Sequence, residues 1–252
     1  MPTVVVTGAG SGIGQATALR FAQAGWNVVA GLYDASQETG TKAVHGFAEA
    51  SGGSCHTVIA DISKEVDAER LIEEAARQFA SVDALVNAAG ITRMVPLADL
   101  ATLTPEMFHA IYAVNTVGAF LTARAAAPHL RKAQGAIVNV SSLAARTGGG
   151  SSIAYAASKA ALETVTLSLA RVLAPQVRVN AVAPALVADG FVQRLDPRAF
   201  EERKRGQVER APLARIGRPD DVAETIFWLA TGAPLVTGEI VTLDCGLHLN
   251  AD

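Results

Sequence analysis

The sequence predicts an α/β fold, with a doubly wound, mainly parallel sheet and helices on both of its faces. Short β-rich runs alternate with longer helical segments along the 252 residues. Several of the β-rich runs are apolar at consecutive positions, as strands covered by helices on both sides must be. A glycine-rich turn joins the first strand to the first helix. We therefore expect seven strands in one sheet and a single domain over residues 1–252.

Seven runs have the length and residue types of strands. In chain order they are Thr3–Thr7, Asn27–Leu32, Ser54–Ala60, Ala84–Asn87, Ala136–Ser141, Val177–Val182 and Glu239–Leu243. The helical segments between them are Gly12–Ala24, Gln37–Ala50, Lys64–Phe79, Pro105–Arg131, Ile153–Leu173 and Pro219–Ala230. The segment 186–218 is long and charged, and it does not follow the alternation of strands and helices. This indicates an inserted lid or binding loop.

Charge and cysteine content argue against several partners. A net charge of -3 and a pI near 6.0 give no electrostatic reason to bind nucleic acid or an anionic membrane. The uncharged stretch Met1–Leu19 holds four glycines, so we expect neither a signal peptide nor a membrane span there. Cys55 and Cys245 form no CxxC motif, which is typical of free thiols in a reducing cytoplasm. We expect no metal site, because the five histidines fall outside every motif.

The turn after the first strand has the form of a phosphate-binding loop. It reads Thr-Gly-Ala-Gly-Ser-Gly-Ile-Gly and leads directly into a helix. Unpaired N–H groups and the positive end of the helix dipole favour a diphosphate there, if the backbone can approach it closely. Gly8 permits the tight turn, Gly12 the close contact and Gly14 the packing of helix on strand. No Gly-Lys-Ser/Thr follows, which argues against a nucleoside triphosphatase.

The end of the second strand indicates which dinucleotide binds. An acid there bonds the ribose hydroxyls of NAD, whereas the 2′-phosphate of NADP requires a cation. The strand ends in Tyr33 and Asp34, and neither this stretch nor the glycine turn, where Ser11 stands, holds Lys or Arg. The sequence favours NAD and leaves NADP open; Asp34 is either the ribose acid or a solvated loop residue. Asp61, which precedes Ile62 after the third strand, is a candidate for the adenine amino group or for a helix N-cap.

A tyrosine and a lysine four residues apart supply a candidate acid and base. Tyr155 and Lys159 lie on one face of a predicted helix. A positive charge close to a phenol stabilises the phenolate and lowers its pKa. Tyr155 can then accept a proton from an alcohol, or donate one to a ketone in the reverse direction.

Further residues surround this pair at fixed spacings. With the pair included, they are the segments 7–14 and 87–90, with Asn115, Ser142, Tyr155 and Lys159. Through these residues the chain resembles the short-chain dehydrogenase/reductase family. The likeness extends over nearly the whole chain, including residues 179–184, 217–223 and 237–244. It implies a Rossmann fold with strand order 3-2-1-4-5-6-7 and a nicotinamide cofactor across the switch point. It also implies hydride transfer between that cofactor and a secondary alcohol or its ketone.

The likeness implies a role for each matching side chain. Tyr155 is the general acid/base, and Ser142 hydrogen-bonds the substrate oxygen. Lys159 tunes Tyr155 and binds the nicotinamide ribose, while Asn115 holds a water that links Lys159 to solvent. The expected cofactor-binding residues are Gly8, Ser11, Gly12, Ile13, Gly14, Tyr33, Asp34, Asp61, Ile62, Asn87, Ala88, Gly90, Tyr155, Lys159, Pro184 and Val187.

Four positions depart from the family pattern. Ala88 replaces the second asparagine of the usual NNAG run, and Ala185 follows Pro184 where the family has glycine. Asp189 stands where, in the family, a threonine helps to hold the nicotinamide carboxamide. Cys245 replaces a glycine near the C-terminus.

The implied partners are a small alcohol or ketone and further copies of the chain. We expect the substrate over Ser142 and Tyr155, beneath residues 186–210, with Arg146 and residues 148–153 lining the approach. Arg146 makes a polar or anionic substrate conceivable. The family implies a homotetramer that pairs the helices Pro105–Arg131 and Ile153–Leu173 across one interface and the last strand across another.

Two other functions compete with this interpretation. One is an NADP-dependent 3-oxoacyl-[acyl-carrier-protein] reductase, which the missing cation for the 2′-phosphate disfavours. The other is a nucleotide-sensing regulator that binds the cofactor without turnover, which the intact set of Asn115, Ser142, Tyr155 and Lys159 disfavours.

Overall fold

The computed structural model describes residues 1–188 and 191–249. One sheet runs through this part of the chain in the order β3-β2-β1-β4-β5-β6-β7, with all neighbouring strands parallel. The strands are β1 (Thr3–Thr7), β2 (Asn27–Leu32), β3 (Cys55–Ile59), β4 (Ala84–Asn87), β5 (Ala136–Val140), β6 (Arg178–Pro184) and β7 (Ile240–Leu243). The predicted fold class, strand number and strand order are confirmed.

The described helices connect these strands. They are α1 (Gly12–Gln23), α2 (Lys42–Ala50), α3 (Glu65–Phe79), α4 (Pro105–Tyr112), α5 (Ala119–Ala133), α6 (Ala144–Thr147), α7 (Ile153–Leu173), α8 (Phe191–Leu195), α9 (Pro197–Arg210) and α10 (Pro219–Thr231). Short 3-10 helices occupy Ala35–Thr41 and Leu247–Leu249, and a π-helical stretch occupies Ala113–Gly118. Among the described helices, none is both long and apolar enough to span a membrane.

Two apolar cores lie on opposite faces of the sheet. Neighbouring residues of a strand point to opposite faces, so the run of valines in β1 serves both cores. Val4 and Val6 pack in the core that contains Phe21 of α1. Val5 packs in the other core, with residues such as Leu71 of α3. This alternation explains why the strand is apolar at consecutive positions, as the sequence analysis expected.

Two predicted helices are interrupted. The segment predicted as Gln37–Ala50 starts as a 3-10 helix, where Gly40 packs so closely on the glycine turn that a Cβ would lie 1.9 Å from the Gly10 carbonyl oxygen. The segment predicted as Pro105–Arg131 is divided by the π-helical stretch Ala113–Gly118. Strand ends differ from the prediction by one or two residues, and the charged segment 186–218 contains α8 and α9.

Candidate active site

A cavity of about 1050 Å³ lies at the carboxyl ends of the central strands. Its lining includes the ends of β1, β5 and β6 at Thr7, Val140 and Pro184. The predicted site residues that line it are Gly8, Ser11, Gly12, Ile13, Gly14, Tyr33, Asp61, Ile62, Ala88, Gly90, Ser142, Tyr155, Lys159, Pro184 and Val187. Asp34, Asn87 and Asn115 lie outside the lining. The fold thus gathers most of the predicted residues into one space.

The glycine turn forms the floor at one end of this cavity. Gly12 has a φ of +55°, in the left-handed region that favours glycine, and begins α1. A Cβ on Gly14 would lie 2.2 Å from the carbonyl oxygen of Gly8, so only glycine permits this contact. Ser11 precedes the helix in an extended conformation, and its side chain does not cap the helix. The amides of the first helical turn are therefore available to an anion, as in dinucleotide-binding turns.

Thr7 positions part of the site, although the sequence alone gave it no role. Its hydroxyl accepts hydrogen bonds from the backbone amides of Ala88 and Ala89, at 3.2 and 3.1 Å. This bond fixes the chain after β4 against the glycine turn, where a Cβ on Gly8 would lie 2.8 Å from Ala89 Cα. In the sequence, the Thr-Gly pair at the end of β1 was the feature from which this positioning role could have been predicted. Asn87 braces the sheet from below, with Nδ2 donating to Asn139 Oδ1 at 2.9 Å.

Asp34, the acid predicted for the ribose, is not among the residues that line the cavity. The Asp34 carboxylate accepts a hydrogen bond from the Ser36 amide at 2.9 Å and another from the Ser36 hydroxyl. It therefore caps the 3-10 helix, and its contact with the ribose stays a prediction. Tyr33 and Gln37 line the cavity here instead, and Gln37 Oε1 accepts a hydrogen bond from the Tyr33 amide at 3.1 Å. Sequence spacing alone could not tell a ribose acid from an N-cap.

Asp61 lies at the cavity, in the turn that precedes α3. Its Oδ1 accepts hydrogen bonds from the amide and hydroxyl of Ser63 at 3.2 and 2.7 Å. Its Oδ2 lies 3.6 Å from Lys64 Nζ. The carboxylate thus stabilises the turn before α3, whose N-cap is Lys64, and its contact with the adenine amino group stays a prediction.

The π-helical stretch brings Asn115 next to the lysine. Its Oδ1 accepts from the Ile91 amide at 2.8 Å, and its Nδ2 donates to the Ile91 carbonyl and the Ser158 hydroxyl, each at 3.0 Å. A Cβ built on Gly90 would lie 3.2 Å from Asn115 Oδ1 and 3.6 Å from Lys159 Nζ, so both polar groups face this glycine. Helical periodicity does not reveal an extra residue of this kind, although such π-helical stretches are frequent at functional sites.

Ser142, Tyr155 and Lys159 meet at the centre of the cavity. Tyr155 and Lys159 lie near the start of α7, which Ser152 caps by accepting from the Tyr155 amide at 3.2 Å. The Tyr155 phenol and the Ser142 hydroxyl both line this part of the cavity, near enough for Ser142 to influence the ionisation of the phenol. Lys159 Nζ donates to the Val140 carbonyl at 2.7 Å and lies 5.8 Å from the centre of the Tyr155 ring. An oxygen on a bound carbonyl compound could therefore be held by two hydroxyls beside a buried cation.

Burial dominates the ionisation of this pair. It raises the pKa of the Tyr155 phenol above its usual value, and Ser142 opposes part of the rise. It also lowers the pKa of Lys159 to about 8. The predicted lowering of the Tyr155 pKa is therefore wrong in this structure, because the ammonium bonds Val140 and not the phenol. Tyr155 is a neutral hydrogen-bond donor at neutral pH.

The lowered pKa of Lys159 predicts a pH dependence of stability in the protein without cofactor. Between about pH 8 and 10.5 the unfolded chain binds a proton that the folded protein has lost, so the free energy of unfolding rises with pH. At about 1.4 kcal/mol for each pKa unit, Lys159 accounts for a rise of about 3 kcal/mol. Urea unfolding of the wild type and of Lys159→Met over this pH range isolates the effect. A constant difference between the two proteins would contradict it.

The substrate side of the cavity differs from the prediction at one arginine. Arg146 donates to Thr242 Oγ1 at 2.8 Å and to the Ile240 carbonyl at 3.1 Å, so it joins α6 to β7 and does not line the cavity. In the segment predicted to line the approach, residues 148–153, Gly150 and Ser151 do line the cavity. Residues of α8 and α9 form part of the wall, as expected for segment 186–210. Asp189 lies outside the described residues.

The fold and this site together define a nucleotide-dependent oxidoreductase of the Rossmann type. A family model described as enoyl-(acyl carrier protein) reductase matches residues 8–248. A protein of Streptomyces violaceoruber, named as ketoacyl reductase 2 of the granaticin polyketide synthase, is 42% identical over 98% of this chain and 96% of its own. The 3-oxoacyl-[acyl-carrier-protein] reductase FabG of Thermotoga maritima is 36% identical over 96% of each chain.

Solved structures agree with these relatives. A Burkholderia xenovorans protein described as a short-chain dehydrogenase/reductase is 41% identical, with a TM-score of 0.91 over 99% of both chains. The chain belongs to the short-chain dehydrogenase/reductase family. It is accordingly an NAD(P)-dependent oxidoreductase, and the resemblance seen in the sequence is confirmed.

Proposed function

We propose that this enzyme reduces a ketone to a secondary alcohol, reversibly, with Tyr155 as the proton donor. One observation carries the proposal: Ser142, Tyr155 and Lys159 line the same cavity as the glycine turn, and burial keeps the Tyr155 pKa above its usual value, so the phenol is neutral. Ser142 and Tyr155 hold the substrate oxygen, and Tyr155 gives it a proton. We assign the return of the proton from solvent to Lys159 and Asn115, whose Nζ and Oδ1 lie 3.6 and 3.2 Å from the position of a Cβ on Gly90. The raised pKa of Tyr155 favours reduction near neutral pH, because the phenol keeps its proton.

The chain fits a nicotinamide dinucleotide. A Cβ at Gly14 would collide with the turn, and the uncapped start of α1 offers amides for a diphosphate. We assign the diphosphate to Gly8, residues 11–14 and the first turn of α1, the adenosine to the side of Tyr33, and the nicotinamide to the side of Pro184 and Val187. When bound in its reduced form, the cofactor supplies the hydride. The protein's own task is to orient it and to manage the proton.

We propose NAD as the preferred cofactor, with NADP as the alternative. The cavity lining around Tyr33 comprises Gly31, Gln37 and Ser11 among the described residues, without a lysine or arginine to pair with a 2′-phosphate. The alternative gains support only if NADPH proves the better donor.

Tyr33→Arg tests this assignment. A guanidinium at this exposed position would add a charge-assisted hydrogen bond to a 2′-phosphate, worth about 1.5–3 kcal/mol or roughly 10- to 100-fold. We expect the ratio of kcat/KM for NADPH to that for NADH to rise by at least about tenfold, and Tyr33→Phe to leave it unchanged. A wild type that already prefers NADPH would replace NAD by NADP in the proposal.

A second candidate function is the reduction of 3-oxoacyl thioesters. The 42% identity to the granaticin ketoacyl reductase and the 36% identity to FabG favour it. Initial rates with secondary alcohols, diols, sugars, steroids and 3-oxoacyl thioesters, each with both cofactors, separate it from other ketone chemistry. A nucleotide-sensing regulator would turn over none of these compounds, and the presence of Ser142, Tyr155 and Lys159 in one cavity argues against that role.

We propose that the enzyme works as a homotetramer in the cytoplasm. Four apolar side chains are exposed in the single chain and supply an apolar surface for a partner copy. They are Val117 just before α5, Phe120 in α5, and Leu167 and Val172 in α7. Cys55 and Cys245 are free thiols, as suits a reducing compartment. We treat residues 1–252 as one NAD(P)-binding domain whose segment 186–218 contacts the substrate. Ultracentrifugation that shows only monomer would overturn the tetramer.

A further inference from the structure

The two ends of the cavity differ in charge. Beside the glycine turn and Tyr33, Asp61 is the charged residue of the lining in the described part of the chain. Beyond Ser142 and Tyr155, where the substrate is proposed to lie, cationic side chains predominate. The charged lining residues there are Arg93, Arg194, Glu202, Arg203 and Arg210.

Two of these arginines are tied to the loop that precedes Tyr155. Arg93 lies between Thr92, whose hydroxyl is hydrogen-bonded to the Ser151 hydroxyl, and Val95, whose amide donates to the Ser151 carbonyl at 2.9 Å. Arg203 of α9 contacts the same loop directly, with Nη2 donating to the Gly150 carbonyl at 3.2 Å. Both cationic residues are thus held at residues 150 and 151, only four or five residues before Tyr155.

The charges of these two arginines are not neutralised within the described residues. No carboxylate in segments 1–188 and 191–249 lies within ion-pair distance of Arg93 or Arg203. Glu202, the acid nearest in sequence, is already paired, since its Oε1 lies 3.4 Å from Arg198 Nε. Guanidinium groups bind carboxylates and phosphates by charge-assisted hydrogen bonds, and both arginines are exposed enough to reach a ligand in the cavity that they line.

We infer that the substrate is an anionic ketone, whose carboxylate or phosphate is bound by Arg93 and Arg203 while its carbonyl lies at Ser142 and Tyr155. This inference rests on the proposed function, because it names the substrate class of that same site. It assigns a specificity role to two residues that touch neither the glycine turn nor the reacting oxygen. A carboxylate belongs to a free oxo acid, and a phosphate to a phosphorylated carrier of an oxoacyl group.

Two pairs of ketones distinguish these sources of charge. The first pair is 3-oxobutanoate and its neutral methyl ester. The second is 3-oxobutanoyl-4′-phosphopantetheine and the same thioester without the phosphate. We expect the wild type to prefer the anionic member of one pair by roughly tenfold or more in kcat/KM, as a charge-assisted hydrogen bond provides. The pair that shows the preference identifies the anion.

The double variant Arg93→Ala/Arg203→Ala is expected to abolish this preference. Arg205→Ala is the matched control, because Arg205 lies on the same helix but outside the cavity lining, and it should keep the preference. Calorimetric binding of the four ketones to Tyr155→Phe loaded with NAD, with and without the two arginine changes, measures the same recognition without turnover.

The outcomes separate this inference from the proposed function. Equal kcat/KM for charged and neutral members of both pairs, or a preference that survives the double variant, would overturn the anionic substrate while ketone reduction stands. If the wild type reduces none of the four ketones, the proposed function loses its support, and calorimetry then decides the inference alone. Equal binding of charged and neutral ketones would overturn it there too.

Discussion

Replacing Tyr155 by phenylalanine lowers kcat/KM for ketone reduction by about 10²- to 10⁴-fold, the usual contribution of a positioned acid. Phenylalanine keeps the ring in its place on α7 but removes the hydroxyl that passes a proton to the substrate oxygen beside Ser142. Because Lys159 bonds Val140 and not the phenol, its position should survive the change. Initial rates of reduced-cofactor oxidation measure the loss, and calorimetry should show that cofactor binding is retained.

The matched control for this variant is Tyr112→Phe. Tyr112 ends α4 and does not line the cavity, so loss of its hydroxyl should leave the rate unchanged. Ser142→Ala should also reduce kcat/KM, because the substrate oxygen then keeps one hydrogen bond in place of two. If Tyr155→Phe retains more than about a tenth of the wild-type rate, the hydroxyl is not the proton donor.

Gly14→Ala is the second change with a large expected effect. Its Cβ would lie 2.2 Å from Gly8 O and 2.7 Å from Gly8 C, and both atoms belong to the backbone, so no side-chain rotation can relieve the contact. The turn must open or α1 must move off β1. Such overpacking costs about 1–3 kcal/mol or more. We expect a lower melting temperature and at least about a 100-fold weaker binding of the dinucleotide, since the amides of the turn no longer converge on the diphosphate.

Gly46→Ala is the control for the glycine change. Gly46 lies in α2, where an added Cβ meets nothing within 4 Å. Alanine is the better helix former there, so this variant should gain about 0.5–1 kcal/mol of stability and bind the dinucleotide normally. If Gly14→Ala melts and binds like the wild type, the glycine turn is not the tight cradle described above.

Local sequence patterns predicted much of this fold because they report local requirements. Consecutive apolar residues in β1 predicted a strand covered on both faces, and Val4 and Val5 do lie in opposite cores. The glycine spacing predicted a close approach, which the collision expected at Gly14 demonstrates. Both features depend on the chain's own backbone and on burial, which residue type reveals directly.

The features that the sequence could not predict depend on which of several possible hydrogen-bond partners a polar side chain takes in the folded protein. Asp34 had two plausible partners, and the nearby Ser36 forms its hydrogen bonds. Arg146 bonds across to β7, a partner almost a hundred residues away. Lys159 bonds a carbonyl of β5, so burial and not the ammonium sets the direction of the Tyr155 pKa shift. Such choices are made by tertiary packing, which spacing along one chain does not encode.

Isotope transfer tests the central claim most directly. The wild-type enzyme is given a ketone that it reduces, together with reduced cofactor that carries deuterium at the position of the transferred hydride. The alcohol product is then analysed by mass spectrometry. The account predicts one deuterium on the carbinol carbon and, under the same conditions, almost no alcohol with Tyr155→Phe. Alcohol without deuterium, or equal deuterated product from Tyr155→Phe, would contradict hydride transfer with Tyr155 as the proton donor.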